Sequence, residues 1–137
     1  MTYPPLEFDE YGFLQPAQPI VTDLQTFQHV FVDSLTESIT RLPLFQAYKT
    51  YCEHLKALVP EGFTQWIDGS FVSRKLNPND IDVVTFVDAA LYAKQERAFS
   101  QLREWRFRKP KQIDGYFVPV YSQAHKHRVL YESDRAQ

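Results

Sequence analysis

This chain is short of several things. Among its 137 residues there is one cysteine, Cys52, one methionine and four glycines. A single thiol excludes an intramolecular disulfide framework and any cysteine-built zinc site. Cys52 falls on a helical apolar face, where a free thiol serves as core filler. No apolar run approaches the ~20 residues that a membrane span needs. The N-terminus lacks a basic stretch followed by an apolar one, so no signal peptide is expected and the default compartment is the cytoplasm. Net charge is also small, −2, although it is unevenly divided. Residues 1–70 hold nine acids and three bases, and residues 71–137 hold eight acids and twelve bases. That asymmetry hints at a polyanionic ligand on the second half. Internal repeats and low-complexity tracts are missing from the sequence.

Apolar side chains, by contrast, are plentiful. Hydrophobics at 44% and aromatics at 15% suffice for a real core, and the length suits one domain over residues 1–137. Residues 1–20 read as an arm, rich in proline (Pro4, Pro5, Pro16, Pro19), with Gly12 in a turn. Tyr11, Phe13 and Leu14 predict a short strand or hairpin packed on the body, acting as a structural clamp.

Thr22-Asp23-Leu24-Gln25 has the form of a capping box with Thr22 as N-cap. The helix it opens carries Leu24, Phe27, Phe31, Leu35, Ile39 and Leu42 on one stripe and is interrupted at Pro43. A second helix runs to about Val59, with Tyr48, Tyr51, Cys52, Leu55 and Leu58 as its apolar stripe. Pro60 and Gly62 stop it. The apolar run Phe63–Ile67 predicts a strand. Ser70–Lys75 reads as one or two helical turns, and Asn77-Pro78-Asn79 is turn chemistry. A strand over Asp80–Val87 follows. Asp88 then caps a helix from Ala89 to about Arg108, with Leu91, Ala98, Phe99, Leu102 and Trp105 buried. Ile113–Tyr121 is the third strand, with Pro119 marking an edge or a strand end. His127–Tyr131 reads as a short final strand, and residues 132–137 as frayed.

The chemistry concentrates between Gly69 and Asp82. Alternation on a strand points Asp80 and Asp82 the same way. Two carboxylates so placed repel unless a cation lies between them, and hard oxygen ligands suit Mg²⁺ or Mn²⁺. Asp82 in particular is costly inside an apolar strand unless compensated. Gly69-Ser70, after a strand and before a short helix, is a place for phosphate. A phosphate cradle facing a carboxylate pair is what metal-assisted nucleotidyl transfer requires. Arg97, Arg103, Arg106, Arg108, Lys109 and Lys111, with Trp105 and Phe107 among them, form a basic segment. It reads as a solvated helix face, or as an electropositive edge for nucleic acid. His125 and His127 share a strand face but have no acidic or cysteine partner nearby, so zinc is not expected.

The ordered set of strand, Gly69-Ser70, polar turn, Asp80-Ile81-Asp82 and strand resembles the nucleotidyltransferase superfold, the polymerase-beta-like group. Gly-Ser-Phe-Val-Ser, followed by Lys75 and Pro78-Asn79-Asp80-Ile81-Asp82, is similar to small bacterial proteins of that superfold. They share an opening like Asp9-Glu10-Tyr11-Gly12-Phe13-Leu14-Gln15-Pro16. The resemblance implies an α/β (α+β) fold, a small mixed sheet flanked by helices. It implies three metal-holding carboxylates, Asp80, Asp82 and Asp114, the last also serving as general base. It implies triphosphate binding by Gly69 and Ser70. Many minimal members carry a basic residue where Ser73 stands, so the phosphate contact would either shift to Arg74 or Lys75 or be weaker. The implied reaction is Mg²⁺-dependent (or Mn²⁺-dependent) transfer of a nucleoside monophosphate from an NTP to a protein or RNA hydroxyl. The implied setting is a toxin–antitoxin or phage-defence pair, with a toxin or antitoxin protein, RNA or a second copy of the chain as partner. Two rivals stand beside it: a binding module that keeps the fold without turnover, and a nucleic-acid-binding protein that uses the basic helix.

Overall fold

The computed structural model describes residues 6–15 and 21–121. The predicted strand at His127–Tyr131, the histidines His125 and His127, and the frayed end lie outside the described residues.

Two short strands, β1 (Glu7–Phe8) and β2 (Leu14–Gln15), form an antiparallel hairpin, as the arm's composition predicts. Helix α1 (Leu24–Gln28) continues as a π-helical turn over His29–Asp33. Its N-cap is Asp23, not Thr22, because the Asp23 carboxylate accepts from the Thr26 backbone N–H at 2.6 Å. The helix ends well before Pro43. The chain then turns, held by Asn77 Oδ1, which accepts from the Ile39 backbone N–H at 2.8 Å and from Ser38 Oγ at 3.3 Å. Ile39, on the predicted apolar stripe, is therefore 78% exposed, and Leu24 and Leu42 are exposed as well.

Helix α2 (Arg41–Leu58) carries Pro43 in its first turn, where no intrahelical N–H is needed. It buries Leu44, Phe45, Tyr48, Tyr51 and Leu55, with Cys52 half-buried beside them. Strand β3 (Thr64–Asp68) leads to one 3₁₀ turn, Ser70–Val72, shorter than the helix predicted to Lys75. Strand β4 (Ile81–Asp88) follows. The Asp88 carboxylate caps α3 (Ala89–Lys94), accepting from the Leu91 N–H at 3.0 Å. The long helix predicted to Arg108 divides at Gln95, whose φ of −110° and ψ of 30° leave the helical region, into α3 and α4 (Glu96–Arg103). A 3₁₀ turn over Glu104–Phe107 completes it. The division lets Tyr92 stack on Phe99 at 5.2 Å, and Phe99 meets Phe117 edge-on at 5.0 Å.

Strand β5 (Ile113–Val120) closes a mixed three-stranded sheet in the order β3-β4-β5. β4 runs antiparallel to β3 and parallel to β5, and among the described residues Pro119 lies on an edge strand, one residue before its end. The fold is thus α+β, a small mixed sheet with helices packed on it. Ile81, Val83, Thr85 and Val87 of β4 are buried beneath Phe45, Tyr51, Leu55 and Phe99. At Gly115, which pairs with Val83, an added Cβ would overlap the Tyr51 hydroxyl, so α2 packs directly on the β5 backbone. Alternation then sends Asp82 to the opposite face.

Candidate active site

Register assembles the site. Asp68 on β3 pairs with Asp82 on β4, and Asp82 pairs with Asp114 on β5. Directly paired residues share a face, so three carboxylates stand in a row across the sheet. Asp80 joins them from the turn just before β4. Asp80, Asp82 and Asp114 each offer a carboxylate oxygen, and these oxygens all lie within 4.8 Å of one another. All three predicted ligands therefore meet at one corner, half-buried.

The corner is electrostatically strained. Burial first, then the facing Asp80 and Asp114 carboxylates, push the Asp82 carboxyl up to about 6. Lys111 pulls the other way. Its Nζ lies 3.2 Å from Asp80 Oδ2 and 3.6 Å from Asp114 Oδ2. The ammonium in turn is held above its ordinary pKa, first by its hydrogen bond to Asp80 and then by the Asp114 charge. An all-oxygen donor set of this kind fits a hard divalent cation, and the Lys111 ammonium is a stand-in that marks where positive charge belongs.

Gly69 forms the wall beside the corner. Its φ is 80° and its ψ −164°, and an added Cβ would overlap Asp82 Oδ2. Only glycine both adopts that backbone and lets the chain approach the carboxylate so closely. Its N–H donates to Asp68 Oδ1 at 2.8 Å. The loop that follows runs through Ser70 to Lys75 along a groove of about 580 Å³. Gly69, Ser70, Ser73, Arg74 and Lys75 all line it, together with Tyr11 and Phe13 of the hairpin tip. Ser73 is buried, and its hydroxyl donates to the Ser70 carbonyl at 2.6 Å while accepting from the Lys75 N–H at 3.1 Å. That hydroxyl shapes the loop. Arg74 and Lys75 are exposed and supply the groove's positive charge. A single 3₁₀ turn has too little dipole to hold an anion, so side chains and loop backbone must do so.

Arg41 holds the loop in place, and nothing in its local sequence points to this. It is 1% exposed. Nη1 donates to the Phe31 and Phe71 carbonyls at 2.8 and 2.7 Å, and Nη2 to the Ser73 and Lys75 carbonyls at 2.9 and 2.5 Å. Burial, then Arg74, lowers its pKa to about 10, so the guanidinium stays charged at neutral pH. Lys111 and Asp68 were likewise invisible as site residues. Lys111 belonged to a basic run, and only the β3–β4 register brings Asp68 opposite Asp82. Among the other cations of that run, Arg108 stacks 3.8 Å over Trp105, and Arg106 lies 5.0 Å from both Phe107 and Tyr116.

No helix among the described residues is long and apolar enough to cross a membrane. Residues 6–137 match the model of the DUF6932 family, described as a family of unknown function. No curated protein matches the chain, and no solved structure does.

Proposed function

We propose that this chain, which belongs to the DUF6932 family, is a metal-dependent nucleotidyltransferase. It would move a nucleoside monophosphate from an NTP to a hydroxyl of a protein or RNA. One observation carries the reading: the carboxylate oxygens of Asp80, Asp82 and Asp114 converge within 4.8 Å, beside a glycine that must be glycine because Asp82 lies against it. Asp80, Asp82 and Asp114 would hold Mg²⁺ or Mn²⁺, which when bound supplies charge neutralisation at the transferring phosphate.

The chain's own residues then have separable tasks. Arg74 and Lys75 draw the triphosphate into the groove and screen its charge. Gly69 lets it approach the carboxylate corner without a side chain in the way, and Ser70 would donate to its phosphates. The acceptor hydroxyl attacks the α-phosphorus, and its oxygen forms the new P–O bond. The bond from the α-phosphorus to the bridging oxygen breaks, and pyrophosphate leaves with that electron pair. Asp114 takes the proton of the attacking hydroxyl. The Gly69–Asp82 resemblance extends the proposal to a toxin–antitoxin or phage-defence setting, with a partner protein or RNA as acceptor.

The Lys111 bridge favours a second reading. If its ammonium permanently neutralises Asp80 and Asp114, the fold serves as a binding module without turnover. The two readings separate on one experiment. Labelled ATP, GTP, CTP and UTP are incubated with the protein, magnesium and a cell extract. Label transferred to protein or RNA, and lost in Asp82→Asn, supports the enzyme. No transfer with any of the nucleotides sinks it and leaves the binding module.

A further inference from the structure

The N-terminal hairpin is tied to the groove by its backbone, not by the side chains of Tyr11 and Phe13. The Arg74 N–H donates to the Gly12 carbonyl at 2.9 Å, and Phe13 and Ser73 form an isolated β-bridge. Phe8 does the packing for the arm, edge-on to Phe31 at 5.9 Å and with the Arg74 guanidinium 5.5 Å from its ring. The tip itself is tightly built. Asp9 Oδ1 accepts from the N–H groups of both Tyr11 and Phe13 at 2.9 Å, and the Asp9 carbonyl accepts from Gly12 N–H at 3.0 Å. Gly12 turns the chain with a φ of 85°. All this order displays two rings that pack on little: Tyr11 is 77% exposed and Phe13 62%. Both line the same groove as Gly69, Ser70, Arg74 and Lys75.

A groove lined by two exposed rings, two cations and a glycine-serine turn fits a ligand with a flat ring at one end and phosphates at the other. We infer that Tyr11 and Phe13 are the stacking platform for the nucleobase, and that the arm, not a separate helical domain, holds the nucleoside end of the substrate. The inference rests on the nucleotide reading of the groove and deepens it. Stacking uses the face that every base possesses, and the tip presents rings rather than a set of fixed donors and acceptors. Recognition at this end should therefore discriminate weakly among bases.

The test uses the full chain in magnesium with three probes: ATP, CTP and inorganic tripolyphosphate. The wild type should bind ATP and CTP within a few-fold of each other, and roughly tenfold to a hundredfold more tightly than tripolyphosphate. Tyr11→Leu with Phe13→Leu should bring ATP down to the tripolyphosphate level and leave tripolyphosphate binding unchanged. Tyr11→Trp with Phe13→Trp should restore the preference. Because the rings are exposed, thermal melting verifies that each variant folds like the wild type. If the leucine variant binds ATP as the wild type does, or the wild type binds tripolyphosphate as well as ATP, the platform is overturned while the phosphate groove stands. If the wild type binds none of the three probes, the platform and the nucleotide reading fall together.

Discussion

Two cations organise this molecule, and they are held in opposite ways. Arg41 is buried, bonds only main-chain carbonyls, and touches no carboxylate. Lys111 is exposed, and among the described residues its ammonium pairs with carboxylates, those of Asp80 and Asp114. The first fixes the shape of the Ser70–Lys75 loop. The second neutralises a corner whose donors would accept another cation in its place. A guanidinium surrounded by carbonyls has nowhere to go and nothing to exchange with. An ammonium on a flexible stem at a solvent edge does. The comparison divides the site into a permanent scaffold and an exchangeable charge.

The largest break in that comparison is Arg41→Met. It leaves the Phe31, Phe71 and Ser73 carbonyls buried without their donor, and each such acceptor costs about 1–3 kcal/mol. A loss of about 3 kcal/mol or more is expected, seen as a fall in Tm on the order of 10 °C. Arg41→Lys should not rescue it, because one ammonium cannot reach carbonyls spread around a planar fork. Unchanged melting in Arg41→Met would remove Arg41 from the scaffold.

Gly69→Ala comes next. The positive φ and the overlap with Asp82 cost about 2 kcal/mol of stability. Displacing that carboxylate should weaken divalent binding roughly tenfold, read by metal titration of the folded variant.

Asp82→Asn should act in the other direction on the metal-free protein. A folded-state pKa of about 6 stands above the unfolded value near 3.8. The stability linked to Asp82 is therefore fully present below pH 3.8 and lost as pH rises through about 6. In chelator at neutral pH the asparagine variant should melt higher than the wild type, and the difference should shrink as pH falls below about 6. Divalent metal should abolish this advantage by stabilising only the wild type.

The smallest effect belongs to Lys111→Met. An ion pair this exposed adds little to stability, so Tm should barely move. Removing the competing ammonium should instead tighten divalent binding several-fold. Weaker binding in this variant would mean that Lys111 assists the metal rather than standing in for it.

Much of the site was legible because its features are local. Gly69 follows an apolar strand, and Asp80 and Asp82 open the next one. Asp114 opens a third in the same manner. Strands β3, β4 and β5 each lie within a residue of the apolar runs that predict them, and the clearest is β4, which buries Ile81, Val83, Phe86 and Val87 and must be apolar wherever it sits in the chain. The rest depends on contacts distant in sequence. Arg41 drew no reading at all, because most of its partners are carbonyls about thirty residues away, and a carbonyl leaves no mark on the sequence. Lys111 was one cation in a basic run, and only the parallel pairing of β4 with β5 brings it to Asp80. The apolar stripe through Ile39 and Leu42 misled for a related reason. Periodicity was present, but Asn77 holds that segment in a turn, and a side-chain bond across 38 positions has no local signature.

The central claim is that the corner of Asp80, Asp82 and Asp114 takes a divalent cation in exchange for the Lys111 ammonium. Mn²⁺ binding to the full chain, followed by electron paramagnetic resonance across pH, tests it most directly. Saturable binding at neutral pH is predicted, falling away as pH drops through about 6 with protonation of Asp82, and absent in Asp82→Asn. Binding that is undetectable in the wild type, or equal in Asp82→Asn, would contradict it.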